Sequence, residues 1–370
     1  MKKVALLFVL FAQFVNAQEL ALVRKDKLFG YISKNGTFAI EPRFKESKNF
    51  SDGLAAASEN GKWGFINPKG EWAIQPTFDN AKYFNAGVCM VSKDKNWVYI
   101  NKKGEVLKAP TSDKLYDFED GVAILRKGDK IGLLGPKMNI VLEPKYDMIK
   151  PFENGYARVK NNDRWGIIDK TGKVVVEIIY DEVGNFHKNT TWAKNGTAFG
   201  LIIAGKFKAV EGAEKIWDFH TQDLTYAKKN GKVGFIDLKG NWAIEPKFDK
   251  ARAFSKNLAP VCVGSKWGYI NTKGTIVIET QFKDAEIFSE NGLAPIKEKN
   301  WGFINESGKI VIPTQYGITA GGIFAMFQDQ QKGFIDGVAR VKNQNAWGFL
   351  KPDGTVLGNQ WYDNAEPFQK

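Results

Sequence analysis

Side chains able to do chemistry are few in this chain, and those that recur do so at a fixed interval. Asp79, Asp147, Asp181, Asp249 and Asp363 each follow an aromatic residue. Two carboxylates set close together could act as glycosidase acids. An acid that returns beside the same aromatic in copy after copy is better explained by turn-forming hydrogen bonds. Catalysis at a single site needs one exceptional copy, and no carboxylate here stands out. His187 and His220 are the only histidines. A metal would need further ligands that the pattern does not supply, so they read as surface or capping residues. Cys89 takes a slot held elsewhere by Ala55, Ala123, Ala157 and Ala259, a small core position. Cys262 stands three positions further along its equivalent strand, hence on the opposite face, and no intramolecular disulfide is expected. There is no nucleotide-binding glycine loop, zinc-protease helix, nucleophile elbow or cysteine pair at metal spacing. The reading is therefore of no catalytic residue, no metal and no cofactor.

The elements that carry these residues are set by a repeat. Trp63-Gly64, Trp165-Gly166, Trp267-Gly268 and Trp301-Gly302 lie at multiples of 34 positions, and Phe29-Gly30, Trp97-Val98, Ile131-Gly132, Phe199-Gly200 and Val233-Gly234 fill in the ruler. A tenth anchor, Trp347-Gly348, follows after 46. The period is that of a helical-pair repeat, but short alternating runs broken by glycine argue for strands. In the second copy, Trp63-Gly64-Phe65-Ile66 reads as a central strand and Asn67-Pro68-Lys69-Gly70 as a type I turn. Glu71-Trp72-Ala73-Ile74 is the next strand, which Pro76 should end by removing a ladder donor. Phe78-Asp79-Asn80-Ala81 and Phe84 then close the unit.

Lys62-Trp63-Gly64-Phe65-Ile66-Asn67, Lys266-Trp267-Gly268-Tyr269-Ile270-Asn271 and Asn300-Trp301-Gly302-Phe303-Ile304-Asn305, with the trailing Phe-Asp-x-Ala-x-x-Phe, resemble the WG-repeat (KWG-repeat) family. The resemblance runs over roughly residues 20 to 370; copies four, six and seven depart from it at Ile131, Phe199 and Val233. It implies a bacterial envelope or secreted repeat scaffold and no particular reaction. The fold expected is all-β, ten three-stranded antiparallel meanders stacked on one another as an open superhelical solenoid rather than one or two propellers. Trp63, Trp97, Trp165, Trp267, Trp301 and Trp347 should be core, with Gly64, Gly166, Gly268, Gly302 and Gly348 in strands against a neighbouring copy's side chain. The turns Asn67–Gly70 and Lys351–Gly354 should share one edge of the array.

Met1 to Ala17 reads as a cleaved signal peptide, a basic start followed by the apolar run Val4 to Val15 and a small-residue cut before Gln18. The apolar run is too short to span a membrane, and the mature chain is expected to have no span. Residues 18–370 form the array, with an irregular insertion near 317–337. The expected location is exported: periplasmic, cell-surface or secreted. A formal charge of +12 arises largely from lysines near turns, such as Lys69, Lys103, Lys239 and Lys273, and reads as a solubilising rim with no nucleic-acid partner. Candidate contact residues are those that distinguish particular copies. Arg158, Trp192 and Tyr226 occupy one row in successive copies, Trp361 fills a slot that is Thr77, Lys145, Lys247 or Gln281 elsewhere, and Phe324 and Phe327 lie in the insertion. The function expected is a non-enzymatic scaffold for a protein or envelope polysaccharide. The alternative is a carbohydrate-binding or carbohydrate-active protein using exposed aromatics and carboxylates.

Overall fold

Asn60 and Gly61 both take positive φ, the backbone a two-residue hairpin needs, and so join Leu54–Glu59 to Lys62–Ile66 as an antiparallel pair. This hairpin recurs through the chain in a computed structural model that describes residues 19–317 and 332–369. The signal-peptide cleavage site, Phe324 and Phe327 lie outside the described residues. After the hairpin comes the Asn67–Gly70 turn, where the Gly70 amide donates to the Asn67 carbonyl at 2.8 Å. The Asn67 side chain accepts from the Lys69 and Glu71 amides, which fixes the turn as the sequence suggests.

Trp72–Phe78 is the next strand and passes through Pro76 rather than ending there. Trp63 pairs with Phe78 but Phe65 with Ile74, so two extra residues bulge out opposite Gly64. A Cβ on Gly64 would meet the Ile74 carbonyl oxygen at 2.5 Å and the Pro76 nitrogen at 2.7 Å. The glycine is therefore a strand residue, as expected, but what presses on it is the bulged backbone of its own sheet, not a neighbouring copy's ring. Proline suits the bulge because a displaced residue has no ladder bond to donate. Gly268 and Gly302 repeat the arrangement, while Gly348 is covered by the ring of Trp361.

The trailing motif does not close its own unit. Asn80–Ala81 pairs with Val88–Lys93, making a short first strand for the following sheet. The sheets thus have four strands where the sequence suggested three, except the fourth (123–146) and the tenth (334–350), which have three. Ten sheets result, numbered here along the chain: sheet 1 comprises 20–44, sheet 2 comprises 47–78, sheet 3 comprises 80–107, and sheets 5 to 9 begin at Met148, Glu182, Lys215, Lys250 and Asp284.

Sheet 1 takes its fourth strand from the far end of the sequence: Asn364–Ala365 pairs with Leu20–Lys25. The Leu20 amide donates to the Gln369 carbonyl at 2.9 Å and the Glu366 amide to the Leu22 carbonyl at 2.8 Å. Each pair of successive sheets shares one apolar cluster, and a cluster of Ala21, Val23 and Ile32 with Phe349, Leu357, Tyr362 and Ala365 joins sheet 10 to sheet 1. The array is therefore a closed ring of ten small sheets, in the manner of a β-propeller, and not an open solenoid. The reason is that every sheet is apolar on both faces. Opening the ring would expose Val23, Ile32, Phe349 and Leu357, roughly 6–12 kcal/mol of burial at about 1.5–3 kcal/mol each. The turn glycines confirm the regular rim: Gly70 rests on Ile40 of the preceding sheet, Gly274 on Ile244, Gly308 on Ile278 and Gly354 on Ile312. No helix among the described residues is long and apolar enough to cross a membrane.

Candidate binding cleft

The recurring aspartates are built into the ring as staples. Asp79 Oδ1 accepts from Lys62 Nζ at 2.6 Å, and its Oδ2 accepts from the Lys95 amide in the next sheet's hairpin at 3.3 Å. Asp147 holds Lys130 at 2.6 Å and the Asn162 amide at 2.8 Å; Asp249 holds Lys232 at 2.5 Å and the Gly264 amide at 2.7 Å. Asp181 does the same with Arg164 and the Gly196 amide. The base before the anchor residue and the acid of the trailing motif are thus two halves of one contact that ties a sheet to the next at these four joints. The lysine, and then the hairpin amide, hold the carboxyls of Asp79, Asp147 and Asp249 below the ordinary aspartate range. Asp363 accepts from the Lys27 amide, which carries the pattern across the ring closure.

The tryptophans sit at the margin of the intersheet cores. Trp267 and Trp301 are buried and Trp63, Trp165 and Trp347 half-buried, whereas Trp97 is 37% exposed. Basic side chains cover their rings: Lys48 lies over Trp63, Lys82 over Trp97, Arg252 over Trp267 at 4.5 Å and Arg340 over Trp347 at 3.7 Å. The expected core role is met in full only at Trp267 and Trp301. At Trp63, Trp97 and Trp347 the indole is a lid that a cation completes.

The row Arg158, Trp192, Tyr226 is not gathered into one patch. All three are half-buried. Trp192 packs in the cluster between sheets 6 and 7, where its Nε1 donates to Asp218 at 2.6 Å, and Tyr226 packs in the cluster between sheets 7 and 8. Facing the next sheet is the ordinary business of this row, since Leu22, Ala56 and Met90 are buried in the same way. Trp361 is half-buried over Gly348 and stacks on Tyr316 at 6.5 Å, replacing the bulged strand that sheet 10 lacks. His187 stacks on Phe219 at 5.6 Å with Nε2 3.5 Å from Asp223. His220 is exposed, and partial burial of its ring together with His187 lowers its pKa. Cys89 is buried between sheets 2 and 3 and Cys262 between sheets 8 and 9, on opposite strand faces as the spacing indicates.

A cleft that the sequence did not reveal opens where sheets 7, 8 and 9 meet. Its volume is about 650 Å³, and Trp217, Tyr226, Trp267, Lys228, Lys250 and Lys283 are among the residues lining it. Trp217 stacks on Tyr226 at 4.7 Å with an interplanar angle of 21°. Arg252, lying on Trp267, also pairs with Asp284 at 2.9 Å and with Glu286 at 3.2 Å. The lysines come from two successive copies and the aromatics from three. No single stretch of sequence contains the site, so only the coincidence of Lys266 and Lys283 in the base and acid slots of one copy could have signalled it.

The family described as WG containing repeat matches residues 29–63, 63–97, 99–130, 131–165, 165–196, 234–267, 267–300 and 301–317. The chain belongs to the WG-repeat family. The unmatched stretch 197–233 overlaps the sixth copy, where Phe199 replaces tryptophan and the outer strand Lys206–Ala209 pairs without the bulge. No match was found among curated protein sequences. Similar solved structures include a eukaryotic initiation factor, at 9% identity and TM-score 0.48, with 95% of this WG-repeat chain and 97% of that chain covered. Hsv2p of Kluyveromyces lactis is similar at 9% identity and TM-score 0.28, covering 61% and 92%. The C-terminal WD40 domain of Sif2 is similar at 8% identity and TM-score 0.32, covering 71% and 83%.

Proposed function

We propose that this WG-repeat ring is an exported, non-catalytic binding scaffold for a protein or a cell-envelope polymer. The observation that carries this reading is the use made of the recurring carboxylates. Asp79, Asp147, Asp181 and Asp249 each hold a cation and a hairpin amide, so the acids that could have formed a hydrolytic pair serve the joints between sheets. A lowered pKa keeps Asp79, Asp147 and Asp249 ionised, which suits a staple and not a general acid. The remaining distinctive surface is a cleft of side chains from several copies, the form repeat arrays give to binding sites. Export is the part of the proposal supported by the leader-like Met1 to Ala17.

The test uses the chain beginning at Gln18, presented to polysaccharide and protein fractions of a bacterial envelope. Retention is measured together with release of reducing ends. Saturable retention without release is expected. Release of reducing ends would overturn the non-catalytic reading, and failure of every fraction to bind would overturn the scaffold.

A further inference from the structure

At one joint the two staple positions both carry a cation. In sheets 2, 4, 5 and 7 the residue before the anchor and the residue 17 positions later form the pairs Lys62–Asp79, Lys130–Asp147, Arg164–Asp181 and Lys232–Asp249. In sheet 8 the same two slots hold Lys266 and Lys283. A second cation stands where the acid should be, and neither lysine has an ion-pair partner among the described residues. Lys283 lines the cleft of about 650 Å³, together with Lys228 and Lys250, which also lack ion pairs among the described residues. The two acids lining the cleft are already engaged: Asp249 by Lys232 and the Gly264 amide, Asp284 by Arg252 and the Ala285 amide. The cleft therefore carries unpaired positive charge at the joint where both staple positions, Lys266 and Lys283, are cations.

We infer that this cleft binds a carboxylate-bearing saccharide, whose acid group takes the place the aspartate fills in the sister sheets. The volume suits a short oligosaccharide. The stacked Trp217–Tyr226 pair, with Lys215 Nζ over the Trp217 ring at 4.7 Å, gives an aromatic wall that also carries a cation. A peptide is disfavoured because its main chain would find no partner: the amides of Asp249, Arg252 and Lys283 already donate to Cys262, Pro260 and Lys297, and Lys228 pairs with Lys215. A saccharide bonds through hydroxyl and carboxylate groups, which side chains can satisfy.

This inference rests on the scaffold reading and narrows it to one site. The test titrates the chain beginning at Gln18 with trigalacturonate, with its fully methyl-esterified form and with triglutamate, by calorimetry at low salt. Trigalacturonate should bind, and the neutral ester at least about tenfold more weakly, the loss expected for a charged hydrogen bond. Lys283→Asp restores the acid of the sister sheets, should pair with Lys266, and should weaken trigalacturonate binding by about tenfold or more. Lys283→Gln, which makes no new pair, should weaken it less. Lys69→Asp makes the same charge change on an exposed turn and should leave affinity within about twofold. An equal loss in Lys69→Asp and Lys283→Asp would show general attraction to a basic protein and overturn the site. Tighter binding of triglutamate than of trigalacturonate would overturn the saccharide. Retention of an envelope fraction undiminished by Lys283→Asp would leave the scaffold standing and remove this cleft from it.

Discussion

Replacing Gly64 with alanine tests the bulge that shapes each sheet. The added methyl would sit 2.5 Å from the Ile74 oxygen, 2.7 Å from the Pro76 nitrogen and 2.9 Å from the Gln75 carbonyl carbon, all backbone atoms of one strand. Ordinary contact lies near 3.4–4 Å. The strand must retreat by about 1 Å, which strains the Phe65–Ile74 pairing on one side and the Trp63–Phe78 pairing on the other. Overpacking of this kind costs about 3 kcal/mol. Two other glycines calibrate the result. A methyl on Gly348 meets only the Trp361 ring, at 2.8 Å, and a ring can swing aside for about 1 kcal/mol. A methyl on Gly87 meets nothing within 4 Å, and its cost is the positive φ of 82°, about 1 kcal/mol. At about 2 °C per kcal/mol for a chain of this size, the melting midpoint should fall by about 6 °C for Gly64→Ala and about 2 °C for each of the others. Circular dichroism at 218 nm or calorimetry reads the difference. A Gly64→Ala protein as stable as Gly87→Ala would show that the bulge does not rest on the glycine.

Three further outcomes are expected. Asp147→Asn should lower the melting midpoint at pH 7; because the folded carboxyl titrates below its usual 3.8, the staple is complete above that value and is lost as pH falls through the folded pKa, so mutant and wild type should converge in acid. Burial pushes the thiols of Cys89 and Cys262 up, so both should resist iodoacetamide at pH 8 in the native protein and react at once in denaturant; rapid native labelling of Cys89 would contradict its place between sheets 2 and 3. Deleting residues 363–369 removes four backbone hydrogen bonds to Leu20, Leu22 and Arg24, and Ala365 from the joining cluster. That deletion should cost about 4 kcal/mol in hydrogen bonds alone and expose sheet 1 to proteolysis, whereas an unchanged digestion pattern would mean the ends are not joined.

Much of the local structure was legible because it is written in single residues. Asn67 and Gly70 specify their turn, the alternation around Phe65 and Ile66 specifies which residue faces which neighbour, and the slots of Cys89 and Cys262 specify opposite faces. What was missed depends on partners distant along the chain. The Phe-Asp-x-Ala tail looks like the end of a unit because it ends the repeat, yet its hydrogen bonds go to the following copy. Closure rests on a pairing between Leu20–Lys25 and Asn364–Ala365 that no periodicity announces. Trp97 and Trp63 share a motif but differ in exposure, because the cation and neighbours that cover each ring belong to other segments. The Arg158–Trp192–Tyr226 row was chosen for residue type alone. Sheet geometry distributes it among separate gaps, whereas the cleft gathers lysines that share no row.

Because every sheet but the fourth borrows its first strand from the copy before it, the repeat and the folding unit are out of step by one strand. Among the described residues, the borrowed strand of sheet 1 is the only one that must travel the whole circumference to find its edge. A ring that opens at this seam presents a loose donor strand and the vacant edge it left, and each fits the corresponding part of a second opened ring. Two such chains can exchange tails and rebuild every native contact in a doubled circle, at no cost in buried surface. If tails exchange between chains they do so at this seam, and the yield of dimer should then rise with chain concentration during refolding.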